Sequence, residues 1–238
     1  MPTFRHGKGT VVLADEFDVT TYLSSVSTSN SIEVPETTTF GSSDRSYITG
    51  HTDGSISFEG LFDGTADAVD EIFEAALGDG PIMTVSGDGS ALSRRAVLLD
   101  TKSTAYEVSS PLTEVVSVSG EAVANGGLDY GVWLVCQTAV STTLTGTAND
   151  NSAASSNGGV AHLHVTANTR DGTTVAKIQG SADNSTFADL VTFATISTST
   201  VTSERTEVSG SVARYLRAVV TPAGSTGSLT VSIAFARR

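Results

Sequence analysis

One cysteine, one tryptophan and three lysines are all that this 238-residue chain holds of those types, and each scarcity narrows the classes of function open to it. Cys136 has no partner for an internal disulfide, and one thiol cannot build a cysteine-based zinc site. It reads as a small buried apolar residue, with a catalytic thiol as the alternative. Aromatic side chains make up 6% of the chain, with Trp133 the sole indole, which leaves little material for a sugar platform of exposed rings. No run approaches the ~18 apolar residues of a membrane-spanning helix. The opening MPTFRHGKGT lacks the apolar core of a secretory leader. Synthesis in a cytoplasm and no membrane partner are the expectations.

The motifs of chemistry are also missing. No Gly-x-Ser-x-Gly elbow is present: Gly41-Ser42 and Gly54-Ser55 lack the second glycine. Asp15, Glu16 and Asp18 lack the central glycine and terminal glutamate of a calcium loop and read as an acidic turn. Gly87-Asp88-Gly89 reads as a turn between strands, because no helix opens behind it to cradle a phosphate. Carboxylates are numerous enough to offer pairs for glycoside hydrolysis, yet no spacing singles one out. His162 and His164 lie two apart in a strand and so share a side. Solvent-facing strand histidines are the expectation and a metal site the alternative. No cofactor is expected, and an enzyme ranks last among the functions considered.

Ser, Thr, Gly and Val dominate, a composition of sheets and turns. Hydrophobic residues are 39%, enough for cores although below the usual ~45–50%. The net charge is −13. Residues 1–145 hold six basic against twenty acidic side chains, a balance of −14, and residues 146–238 hold seven against six, or +1. A chain of this sign does not bind DNA by neutralising phosphates. Its plain consequence is a soluble, self-repelling surface.

Residues 141–159 (STTLTGTANDNSAASSNGG) have one large apolar side chain, Leu144, and read as a flexible linker. They divide a first domain, 1–140, from a second, 160–238. In the first, residues 9–15 read as a strand and 24–34 as an edge strand or one arm of a long polar loop spanning 24–53. Residues 55–62 alternate cleanly: Ile56, Phe58 and Gly60 point one way, Ser57, Glu59 and Leu61 the other. The period then changes. Thr65 is placed to cap a helix near 66–77 and Gly78 to end it, with Val69, Ile72, Phe73, Ala76 and Leu77 on one face. Further strands are expected at 81–85, 91–102, 112–124 and 131–136. The second domain reads as six short strands, a small all-β sandwich.

Three phrases in the first domain carry a resemblance. VVLADEFDVTTY, ending at Tyr22, follows the pattern V-x-L-x-x-x-x-D-V-T-x-Y. The pair Phe40-Gly41 sits in a Thr/Ser/Gly-rich loop and is followed by Arg45-Ser46-Tyr47-Ile48-Thr49-Gly50. A strand opened by Asp53-Gly54-Ser55 comes next. The order resembles the major tail (tail tube) protein of long-tailed bacteriophages over roughly residues 8–140. The resemblance implies a mainly β fold: a tail-tube-type antiparallel β-sandwich or barrel with one packed α-helix, to which this chain adds its small C-terminal sandwich. It implies a structural protein of the virion tail, made in the host cytoplasm, that self-associates into hexameric rings stacked as a tube. Other tail proteins (tape measure, terminator, distal tail) would be partners, and DNA would pass without adhering. Phe40, Arg45, Tyr47 and Ile48 would then be inter-subunit loop residues. Glu59, on the polar side of its strand, would be a lumen residue, and an acidic lumen would let DNA slide.

In the second domain, residues 179–190 (QGSADNSTFADL) and Arg214-Tyr215-Leu216-Arg217 weakly resemble discoidin-like (galactose-binding-like) domains. Phe187 stands at the usual Trp and Asn184 at the usual Gly. That likeness supports the competing function, a carbohydrate- or cell-surface-binding β-sandwich module.

Overall fold

The computed structural model describes residues 4–238. The chain is mainly β, its named strands pair antiparallel, and it holds a single α-helix among the described residues. In order the elements are β1 (Val11–Ala14), β2 (Phe17–Asp18), β3 (Leu23–Ile32), β4 (Thr52–Leu61), α1 (Val69–Ala75), β5 (Ile82–Ser86), β6 (Arg95–Ser109), β7 (Ser117–Ala124), β8 (Asp129–Val140), β9 (Leu144–Thr145), β10 (Asn149–Asp150), β11 (Gly159–Asn168), β12 (Thr174–Ser181), β13 (Ala188–Thr192), β14 (Thr202–Val208), β15 (Tyr215–Pro222) and β16 (Leu229–Arg237).

Contacts divide the chain into two compact units, and neither is a continuous stretch of sequence. The first is Met1–Thr21, Ile82–Leu98 and Asp129–Arg238; the second is Tyr22–Pro81 and Leu99–Leu128. The division expected at 141–159 is therefore not the one the fold makes. Charge follows the spatial division sharply. The second unit holds fifteen acidic and two basic side chains, a balance of −13, whereas the first holds eleven of each.

In the first unit one sheet runs β14-β11-β16-β8-β6-β5-β1-β2, and a smaller sheet runs β10-β15-β12-β13 with β9 on β15. Strands β8, β11 and β16 serve two cores at once. Leu134, Leu163, Val165, Val231, Ile233 and Phe235 face the smaller sheet and meet Ala176, Ile178, Leu216, Ala218 and Val220 in a sandwich. Trp133, Val160, Ala234 and Ala236 point the other way, onto Val11, Leu13, Ala96 and Leu98. That is why β11 and β16 read as nearly continuous apolar runs: both of their faces are covered. The larger sheet curls, and β2 and β5 come back against β11 and β14.

Residues 141–159 are part of this unit and not a free tether. β9 and β10 pair with β15, and Ser155 bridges Val212. Arg214 holds Asp150 through two bonds of 2.7 Å. Arg237 donates to the carbonyls of Ala153, Val212 and Ala213. A stretch without large apolar side chains still orders when its backbone groups find partners; composition records the first property and is silent on the second.

In the second unit β3, β4, β7 and β6 form a four-stranded antiparallel sheet, to which β6 contributes from Leu99 onward. Helix α1 covers one face. Phe73 of the helix meets Phe58 at 4.2 Å between ring centroids and Tyr106 at 6.4 Å. The Tyr106 hydroxyl donates to Asp70 at 2.8 Å. Gly120 makes room for this cluster, since a Cβ there would lie 2.3 Å from the Phe58 ring. The helix is shorter than the sequence pattern predicts. Thr65 does not cap it: its hydroxyl and amide both turn to Asp63, and the N-cap position is Ala68 with no side-chain bond.

Candidate functional site

The second unit carries the two features that set it apart, an arm and an open sheet face. The arm is the continuation of the β3–β4 hairpin. The loop expected at 24–53 is ordered strand at both ends, with β3 against β4 from Leu23 to Ile32, and the ribbon extends beyond them. Glu33 and Gly50 exchange backbone bonds with their opposite residues, Glu36 bridges Tyr47, and Thr37 donates to Ser46. The tip is closed by Thr39 and Ser42. Residues 33–51 are all exposed. Phe40 stands fully in solvent at the tip, and Ile32, Val34, Tyr47 and Ile48 are each more than half exposed. Arg45 faces Glu36 at 3.8 Å. A two-stranded ribbon is at best marginally stable alone in water, and this one leaves five large apolar side chains exposed.

The open face is the side of the four-stranded sheet away from α1. Strand alternation places Ser25, Ser27, Ser29 and Ser31 of β3 beside Glu59, Ser57, Ser55 and Asp53 of β4. Ser119 and Glu121 of β7 follow, then Glu107 and Ala105 of β6. Ser25, Ser57, Glu59, Glu107, Ser119 and Glu121 line a shallow trough of about 410 Å³. At one end the same side continues to Val123 of β7 and Lys102 of β6, where the lysine is paired with Asp79; the four central segments, 25–31, 53–61, 117–121 and 105–109, contain no basic residue. Away from that paired lysine, the hydroxyls and carboxylates make a wet surface that repels polyanions. The four residues expected in an inter-subunit loop, Phe40, Arg45, Tyr47 and Ile48, all lie on the arm. Glu59 lies on the open face.

Elsewhere the residues singled out by sequence have structural employment. The acidic turn is held by its own unit: the Asp15 carboxylate accepts from the Ile82 amide at 2.9 Å and the Ser203 hydroxyl at 3.1 Å. Burial pushes the Cys136 thiol up to about 12, far from a thiolate nucleophile. In the discoidin-like phrase, Asp183 accepts the amides of Thr186 and Ser185, which hold its carboxyl down to about 2. Phe187 lies under the Arg217 guanidinium at 3.8 Å, and that guanidinium bonds Gln179. The phrase is thus a hairpin tied to its paired strand through Arg217 and Gln179.

His162 and His164 depart furthest from expectation. They share a side, as alternation requires, but both are fully buried. That side faces the interior of the curled sheet. No group of three or more His, Cys, Asp or Glu side chains is placed to hold a metal among the described residues. The sequence also gave no sign of Arg170, a buried arginine that donates to the carbonyls of Ser141, Ala223 and Gly227 at 2.7–3.2 Å.

No protein-family model and no curated protein sequence matches the chain. Among solved structures it is similar to a protein in the virion of a native gene transfer agent particle, with 20% identity and a TM-score of 0.45 over 53% of this chain and 98% of that one. A second similarity is to the tail of an empty gene transfer agent particle with C6 symmetry, with 17% identity and a TM-score of 0.42 over 53% and 98%. A third is to the SPP1 Dit (gp 19.1) protein, described as a hub adsorption apparatus of phages infecting Gram-positive hosts. There the identity is 11% and the TM-score 0.36, over 94% of this chain and 98% of that one. Likenesses of this size do not place the chain in a family.

Proposed function

We propose that this protein is a structural subunit of a phage-type tail, which associates with copies of itself in hexameric rings stacked into a tube that conducts DNA. The observation that carries the reading is the open face of the second unit. A sheet side of serines, Asp53, Glu59, Glu107 and Glu121 is left uncovered in a unit whose balance is −13. Turned inward around a bore, it offers DNA no ring to stack on, and its one lysine, Lys102, is already paired with Asp79.

The remainder of the proposal supplies the assembly. Strand β3 pairs only with β4 among the named strands, so its outer edge has backbone groups for a neighbouring copy. The arm, with Phe40, Tyr47 and Ile48 exposed, reaches the next ring. Tape measure, terminator and distal tail proteins are the other partners of such a tube. Electron microscopy of the purified protein tests the reading. Rings or tubes with an open centre are expected; a strictly monomeric particle at high concentration, or closed discs without a lumen, would defeat it.

A further inference from the structure

The first unit holds a chain of buried polar groups that runs across the open ends of its curled sheet. In strand order β5 and β11 are not neighbours, yet the Thr84 hydroxyl of β5 lies 2.9 Å from Nδ1 of His162 and 2.8 Å from Nε2 of His164, both on β11. His164 Nδ1 is 2.6 Å from the carbonyl oxygen of Asp15, in the turn between β1 and β2. His162 Nε2 is 3.0 Å from the Arg205 guanidinium of β14.

The proton positions follow from the two ends. A guanidinium only donates, so His162 Nε2 accepts and its proton sits on Nδ1. That proton goes to Thr84 Oγ1, which leaves the threonine's own proton for His164 Nε2. A carbonyl oxygen only accepts, so His164 donates to Asp15 from Nδ1. Reading from either end gives the same direction. Every bond is satisfied when both histidines are neutral.

We propose that this relay is an acid-sensitive latch, which ties β5 and the β1–β2 turn to β11 and β14 while both histidines are neutral and releases them when either gains a proton. A proton added to His162 would set N–H against N–H at Arg205, and cation beside cation. One added to His164 would take away the acceptor of the Thr84 hydroxyl. The surrounding charges do not offer an escape. Asp129 of β8 and Glu207 of β14 are engaged by Arg205 and Arg238. The Asp15 carboxylate is turned to Ile82 and Ser203, and Asp18 of β2 to Thr20 and Gln137. Beside the histidines β16 presents Ala234 and Ser232, which carry no charge.

Burial, then the nearby His164 and Arg205, holds His162 well below the ordinary histidine range. Burial pushes His164 down to about 4, against a weaker upward pull from the Asp15 carbonyl. An unfolded chain takes up these protons near ~6.5. Below that pH the open form binds more protons than the closed one, so stability falls as pH falls. The loss amounts to about thirtyfold in the closing equilibrium for each histidine between pH 8 and pH 5. Exposed carboxylates titrate mostly below this window.

Hydrogen exchange of the full chain, corrected for the intrinsic pH dependence of exchange, reads the latch directly. Protection in β5, β11 and β14 is expected to fall from pH 8 to pH 5, while that of β12 and β15 falls less. In His164→Gln the fall is expected to shrink by the share of one histidine. Protection that does not change with pH, or that falls equally in the variant, would overturn the proposal. Should the variant fail to fold, the ring-nitrogen shifts of the wild-type protein decide. Two of its four histidines are expected to stay neutral at pH 5 with the proton on Nδ1. Four histidines titrating together near the ordinary value would refute the latch.

Discussion

Gly120 is the residue on which the packing of the acidic unit turns. Phe58 fills the space above it, and α1 closes over Phe58 through Phe73. Gly120→Ala therefore overpacks the cluster and is expected to cost about 1–3 kcal/mol, read as a lower urea midpoint with unchanged slope. An unaltered midpoint would mean that the helix side of the sheet yields freely. The alternation of Ile56, Phe58 and Gly60 was legible in sequence, since a period of two needs only neighbouring residues. The need for glycine at 120 was not, because the ring it accommodates lies on another strand. His162 and His164 teach the same lesson. Their common side was legible, but whether that side meets water depends on how β5, some eighty residues earlier, curls back against it.

At the level of elements, the arm and the helix are legible in the sequence to different degrees. The helix pattern identified Val69 and Phe73 as its buried side, but its start was misplaced, because Thr65 was free to bond Asp63 instead. The arm was visible as a long polar stretch with Tyr47 and Ile48 in it. That it continues as a hairpin rests on backbone bonds between residues such as Glu33 and Gly50, which leave no mark on composition. Replacing Phe40, Tyr47 and Ile48 together by serine removes three of the arm's five exposed apolar side chains, and both of its aromatic rings, without touching a core. Stability is expected to stay within about 0.5 kcal/mol of the wild type, while tube growth stops. A triple variant that still forms long tubes would remove the arm from the stacking contact. Circular dichroism and sedimentation of the same sample separate loss of assembly from loss of fold.

Across the whole molecule, the linear reading of two domains in sequence gives way to two units assembled from alternating segments. Composition changes at 141–159, and along the sequence alone that change marks a boundary. The strands ignore it: β16, at the end of the chain, pairs with β8 and β11 on either side of that stretch. Truncation after Thr145 is accordingly expected to expose the apolar faces of β8 and to leave an insoluble or molten fragment. A soluble fragment with native-like exchange protection in β8 would show that the first unit does not need its C-terminal strands. The charge asymmetry, by contrast, was legible in outline. Its spatial form, fifteen acidic against two basic side chains in one unit and eleven of each in the other, emerges only once residues 1–21, 82–98 and 129–145 are assigned by contact and not by position. The central claim is that the serine and carboxylate face of the second unit lines a bore. A cryo-electron microscopy map of the assembled protein tests it most directly. Glu59, Glu107 and Glu121 are expected to project into the lumen; a bore lined by the first unit or by basic side chains, with those carboxylates on the outer wall, would contradict the account.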